Sequence, residues 1–163
     1  MSWDLTFKGG GKSDYVVGQV WAKENANYYL IDQVRGQWDF TETVSEFKKL
    51  CRRYPQTTYK LVEDAANGAA LKSHLQRSID GIILVKPDKA KELRLQRVLD
   101  LFESGNVFVP RQKSVLWVDH MLKEWFSFPN GKNDDTVDAT TQALNHLRTT
   151  NRTFVAPIGQ RRY

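Results

Sequence analysis

Three groups of carboxylates stand out among the 163 residues. Asp4 lies between Trp3 and Leu5 in an extended-looking stretch, where aspartate is disfavoured. Glu63 and Asp64 close the run YKLVED and abut the small-residue turn AANG, which leaves room for a ligand. Asp134, Asp135 and Asp138 crowd the first turn of a helical segment. Each group alone has an ordinary explanation: an exposed strand edge, a solvated strand end, or acids favoured at the positive end of a helix. Gathered in one place they demand cations, because clustered carboxylates repel one another. Mg²⁺ and Mn²⁺ prefer such oxygen ligands. Two ions about 4 Å apart can activate water and stabilise the leaving oxygen of a phosphodiester. His74, His120 and His146 have no metal-type spacing, and with Cys51 the sole cysteine a zinc site is disfavoured.

Phosphodiester chemistry also needs cations outside the acid cluster. The net charge is +5, which favours an anionic partner. Lys86, Lys89, Lys91, Arg94 and Arg97 form one basic stretch, read here as contacts to a DNA backbone. From Ala139 to Tyr163 there is no Asp or Glu, while Arg148, Arg152, Arg161 and Arg162 all lie there. No run approaches the roughly 18 apolar residues of a membrane span, and no secretion signal is recognisable.

Strands and helices must bring the acids together. Residues 2–8 read as a first strand, followed by a turn at Gly9, Gly10 and Gly11. Runs 15–21 and 28–34 are β-branched and aromatic, joined by the polar turn KENAN. Asp39 and Glu42 form a capping box ahead of Phe40, Val44, Phe47 and Leu50 at helical spacing. A fourth strand over 59–64, a short helix from Gly68 and a wholly apolar strand over 82–85 follow. A basic helix is expected over 88–104, closed by Gly105, then a brief extended segment over 107–109. Val118, Met121, Leu122 and Trp125 mark another helix, and 134–147 the last. An antiparallel meander followed by β-α-β units predicts one mixed sheet with helices on both faces. In that order the first and fourth strands are neighbours at the sheet centre, and the last helix packs over them. The domain is expected to span 1–149, with 150–163 a basic, flexible tail that is dispensable for chemistry.

Gly9-Gly10-Gly11-Lys12-Ser13 has the look of a phosphate-binding loop, but Thr6 stands where that motif needs its first glycine. A strand rather than a helix is expected after it, so ATP binding there is not expected.

The blocks WDLTFK, SDYVVGQVW and YYLIDQVRGQWDF resemble the opening of the nuclease domains of tailed-phage terminase large subunits. YKLVEDAANGAAL is similar to that family's second acidic motif, and VLDLFESGNVFVP and FPNGKNDDTVDATTQAL to its last two blocks. The similarity covers about residues 2–147, and its specificity lies in the combination. The resemblance implies an RNase H-like fold related to Holliday-junction resolvases. It implies cleavage of concatemeric viral DNA during genome packaging, in the host cytoplasm. Residue by residue it makes Asp4, Glu63 and one of the pair Asp134 and Asp135, taken as Asp135, catalytic. Asp4, Glu63, Asp134, Asp135 and Asp138 become metal ligands for Mg²⁺ or Mn²⁺, with Glu63 favoured over Asp64. Implied partners are double-stranded DNA, the terminase ATPase domain, the small terminase subunit and the portal. No ATPase motif precedes the first acid here, so an excised domain or a stand-alone relative is expected. A structure-selective resolvase and a catalytically silent DNA- or portal-binding module are the alternatives.

Overall fold

A computed structural model describes residues 1–5, 15–86, 90–111 and 115–150. Six strands form one sheet in the order β5-β4-β1-β2-β3-β6. They are β1 (Ser2–Asp4), β2 (Val16–Glu24), β3 (Asn27–Gly36), β4 (Lys60–Glu63), β5 (Ile82–Val85) and β6 (Val107–Phe108). The β1-β2-β3 meander is antiparallel, as expected, and β4, β5 and β6 each join in parallel. β1 and β4 are neighbours near the sheet centre. The expected glycine turn at 9–11 and the rest of the first strand's expected span lie outside the described residues.

The turn between β2 and β3 is tighter than KENAN suggests. The strands run on through Glu24 and resume at Asn27. Asn25 adopts a left-handed φ of 55°, which asparagine tolerates better than most residues.

Helices cover both faces. α1 (Phe40–Arg53) begins with the capping box read from the sequence. The Glu42 N–H donates to Asp39 Oδ1 at 2.8 Å, and the Asp39 N–H to Glu42 Oε2 at 2.9 Å. α1 and α2 (Ala66–Leu75) bury Val44, Phe47, Leu50, Leu71 and Leu75 against Trp3, Val16 and Val62 on one face. On the other face Trp21, Tyr28 and Leu30 meet Val98, Leu101, Met121, Ala143 and Leu144. Those residues come from α4 (Leu99–Glu103), α5 (Trp117–Ser127), α6 (Asp135–Thr149) and the residue before α4.

Two helices depart from expectation. α2 begins at Ala66, two residues before Gly68. The basic helix expected over 88–104 is broken into α3 (Lys91–Gln96) and α4. At the break Val98 takes φ −121° and ψ 1° and is fully buried. No glycine or proline marks the spot, so the sequence pattern runs straight through it; core burial of Val98 outweighs the local helical preference. Among the described residues no helix is long and apolar enough to cross a membrane.

Candidate active site

The sheet register sets the acids side by side. Trp3 pairs with Val62 of β4 and Asp4 with Val17 of β2, while Val17 pairs with Arg35 of β3. Glu63, one residue beyond Val62, therefore falls beside Asp4. Side chains alternate along a strand, and paired residues share a face. Trp3 points into the α1 side, 4.9 Å from the Phe47 ring. Ser2 points to the α6 side, where its Oγ accepts from Gln142 Nε2 at 2.9 Å. Glu63, Asp4, Val17 and Arg35 thus form one row on the α6 face. Asp4 and Glu63 end two parallel strands, and the carboxyl ends of parallel strands are where open α/β sheets take ligands.

α6 lies over this row with its N-terminus at the strand ends. Asp134 is its N-cap residue, and Asp135 and Asp138 lie in its first turn. The apolar spacing predicts an amphipathic helix with Val137, Leu144 and Leu147 inward. Instead every residue from Asp135 to Leu144 is buried, and the contact with the sheet is polar. Gln142 Nε2 also reaches the Trp3 carbonyl at 3.3 Å. Thr140 Oγ1 donates to Gln19 Oε1 at 3.0 Å, and Gln19 Nε2 donates to Gln33 Oε1 at 2.9 Å.

The N-terminus of α6 is held from outside the helix. The Thr136 N–H, one of the orphan donors of a first turn, donates to Glu124 Oε1 of α5 at 2.6 Å. Glu124 Oε2 lies 3.1 Å from Arg35 Nη2, and the same guanidinium lies 3.9 Å from Asp135 Oδ2. Arg35 also stacks over the Tyr15 ring at 3.6 Å.

The other acids face α3. Lys91 Nζ lies 2.7 Å from Asp134 Oδ2 and 2.6 Å from Asp138 Oδ2. Arg94 Nη2 lies 2.9 Å from Asp138 Oδ1, and Arg94 Nη1 lies 3.7 Å from Glu63 Oε2. Burial pushes the Asp138 carboxyl above its ordinary pKa, against the pull of Lys91 and Arg94. Burial lowers the Lys91 ammonium, but its bonds to Asp134 and Asp138 outweigh this and hold it above the ordinary range.

Glu63, Asp134 and Asp138 are thus linked through the two cations of α3, while Asp135 lies toward Arg35. Asp4 is buried in the row beneath α6. Among the described residues, no three His, Cys, Asp or Glu side chains are drawn together tightly enough to hold a metal as they stand. The donor set nonetheless consists of carboxylate oxygens alone. That chemistry fits a hard divalent cation.

Lys91 and Arg94, read from sequence as backbone contacts, are paired with acids. Lys86 and Arg97 are exposed and line a cavity of about 130 Å³ beside the site with Arg94, Gln142 and Asn145. Lys89 and residues 151–163 lie outside the described residues. Sequence reasoning missed Arg35 and Glu124. The signal for Glu124 is its place three residues after Met121, an acid on the buried stripe of α5.

The model of the terminase RNase H-like domain family matches residues 1–147. The crystal structure of the large terminase nuclease from thermophilic phage G20c aligns with a TM-score of 0.63 and 20% identity, over 88% of this chain and 79% of that one. The same nuclease with bound zinc aligns with a TM-score of 0.64 and 20% identity, over 88% and 80%. Fowlpox virus resolvase in complex with Holliday junction DNA aligns with a TM-score of 0.55 and 14% identity, over 91% and 98%. At these identities the likeness speaks to the fold. No curated protein matches the chain by sequence. The mixed sheet, the helices on both its faces and the match along nearly the whole chain agree: the chain belongs to the terminase RNase H-like domain family.

Proposed function

We propose that this chain is a divalent-metal-dependent DNA endonuclease that cuts concatemeric viral DNA during genome packaging, in the cytoplasm of the host. The observation that carries the reading is the convergence of acids from β1, β4 and α6 at the carboxyl ends of two parallel strands, in a chain of the terminase RNase H-like family. A silent DNA-binding module gains nothing from such a cluster, because carboxylates repel phosphates.

Asp4, Glu63 and Asp135 would hold Mg²⁺ or Mn²⁺, with Asp134 and Asp138 as further ligands. When bound, divalent ions lower the pKa of water and offset the charge that develops on the phosphate. The chain's own residues set the stage for that chemistry. Asp4 and Glu63 are fixed by the sheet register, so their spacing is rigid. Asp135 and Asp138 ride on α6, whose first turn Glu124 anchors. Lys86 and Arg97 would bind the DNA backbone, which gives affinity without reading sequence. The terminase ATPase domain, the small subunit and the portal are the partners this reading implies.

The test is plasmid nicking in Mg²⁺, Mn²⁺, Ca²⁺ or EDTA, with Asp4→Asn alongside. Cleavage is expected in Mg²⁺ or Mn²⁺ and not in Ca²⁺, which takes longer bonds and looser geometry. Asp4→Asn is expected to lose cleavage while keeping its melting temperature within a few degrees. Full cleavage in EDTA, or by Asp4→Asn, overturns the assignment. The fold likeness to a resolvase bound to a Holliday junction favours one second reading. A four-way junction cut far faster than linear duplex would support it, and equal cutting would dismiss it.

A further inference from the structure

The acids on the α3 side of the site meet two cations borne by one short helix. Lys91 and Arg94 stand three residues apart on α3, a spacing that puts both on one helix face. Each spans two acids: Lys91 joins Asp134 to Asp138, and Arg94 joins Asp138 to Glu63. Asp138 is the shared partner. Its Oδ2 faces Lys91 at 2.6 Å and its Oδ1 faces Arg94 at 2.9 Å, so both of its oxygens are occupied by side-chain cations.

These contacts are uneven in a way that suits exchange. The Lys91 side chain is 42% exposed, with a path back to solvent. Arg94 is only 12% exposed, yet its contact with Glu63 is long, at 3.7 Å. Among the described residues its buried Nε has no hydrogen-bond partner. Arg94 also lines the cavity shared with Lys86 and Arg97, where an anion would find three positive side chains.

We infer that Lys91 and Arg94 are exchangeable countercharges: they hold Asp134, Asp138 and Glu63 together without metal, and they yield these acids to a divalent cation as they turn to DNA phosphate oxygens. The inference rests on the metal-dependent reading above. Like charges in a partly buried site repel strongly. A divalent ion and two side-chain cations therefore compete for the same oxygens. Their release leaves two cations beside the site with no acid to neutralise, where a phosphodiester would take them up. Metal and DNA would then load cooperatively.

The experiment measures Mn²⁺ binding by the whole chain without DNA, from the electron spin resonance signal of free Mn²⁺. Wild type, Asp4→Asn, Lys91→Gln and the double variant Lys91→Gln/Arg94→Gln are compared, with thermal melts in EDTA and in Mn²⁺. The double variant is expected to bind Mn²⁺ about tenfold more tightly than wild type, since two competing positive charges are gone. It should melt earlier in EDTA and recover in Mn²⁺. If the double variant is unfolded without metal, the exposed Lys91→Gln change alone carries the test and should still tighten binding. Variants that bind Mn²⁺ no more tightly than wild type, while Asp4→Asn loses binding, would overturn the countercharge inference and leave the metal reading intact. Absence of Mn²⁺ binding in wild type and variants alike would sink both.

Discussion

Arg35 carries more of the site than its position at the end of β3 suggests. Its guanidinium stacks on Tyr15, pairs with Glu124 and lies within 3.9 Å of Asp135. The Glu124 side chain is 6% exposed and the Arg35 side chain 19%. Removing one partner of such a buried pair strands the other charge, which typically costs about 3 kcal/mol or more. Arg35→Met is therefore expected to lower unfolding free energy in urea by about 3 kcal/mol. Restoring charge with Arg35→Lys should recover only part of it, because an ammonium neither stacks nor forks as a guanidinium does. Full recovery by lysine would mean that charge alone matters there. The contrast with the acids explains which residues the sequence makes legible. Asp4, Glu63 and the α6 acids are legible because a carboxylate in an apolar strand, or several in one helical turn, breaks the local pattern. Arg35 is not, because it looks ordinary on its own strand; Glu124 shows only as an acid on the buried stripe of α5, and their pairing exists only once β3 and α5 are brought together.

Among the elements, β1 is short but closely gripped. It pairs in parallel with β4 and antiparallel with β2, and Trp3 is fully buried against Phe47. Gly18 of β2 sits opposite Trp3, and a Cβ there would lie 2.7 Å from three indole carbons. Only glycine lets the indole lie against the β2 backbone. Gly18→Ala must shift Trp3, and overpacking of this kind costs about 1–3 kcal/mol. Because Asp4 follows Trp3, the same shift should reduce DNA cleavage even at temperatures where the variant is folded. Denaturant unfolding and nicking assays on one preparation check both halves; unchanged stability would show that the indole has room to move. The strands are legible because they alternate or run apolar over several residues, and α1 because its capping box is a local device. The α3–α4 break is not, since Val98 leaves the helix for a core contact that no neighbouring residue announces. The buried polar character of α6 is also hidden: Thr136, Thr140, Thr141 and Gln142 look like a solvent face until the sheet opposite is seen to carry Ser2, Gln19 and Gln33.

For the molecule as a whole, the proposed binding of DNA turns on charge. Lys91 and Arg94 pair with acids, and Lys86 and Arg97 stand exposed among the described residues of the expected basic stretch. Binding to duplex DNA is expected to weaken linearly in the logarithm of salt concentration, alike on unrelated sequences. Lys86→Gln/Arg97→Gln should flatten that slope by about 2, one for each phosphate that is no longer neutralised. Fluorescence anisotropy across a salt series measures it; an unchanged slope would move the DNA track elsewhere. The polar contact between α6 and the sheet has a consequence of another kind. A greasy interface grips well but lets a helix roll or creep along its axis, since one methyl serves nearly as well as another. The bonds from Gln142 to Ser2 and from Thr140 to Gln19 are directional and admit a single seating. The sheet contributes Asp4 and Glu63 and the helix contributes the remaining acids, so that seating is the gauge that sets the gap between them. An interface of leucines would lack those directional bonds; here the glutamines and threonines set how the helix sits against the sheet.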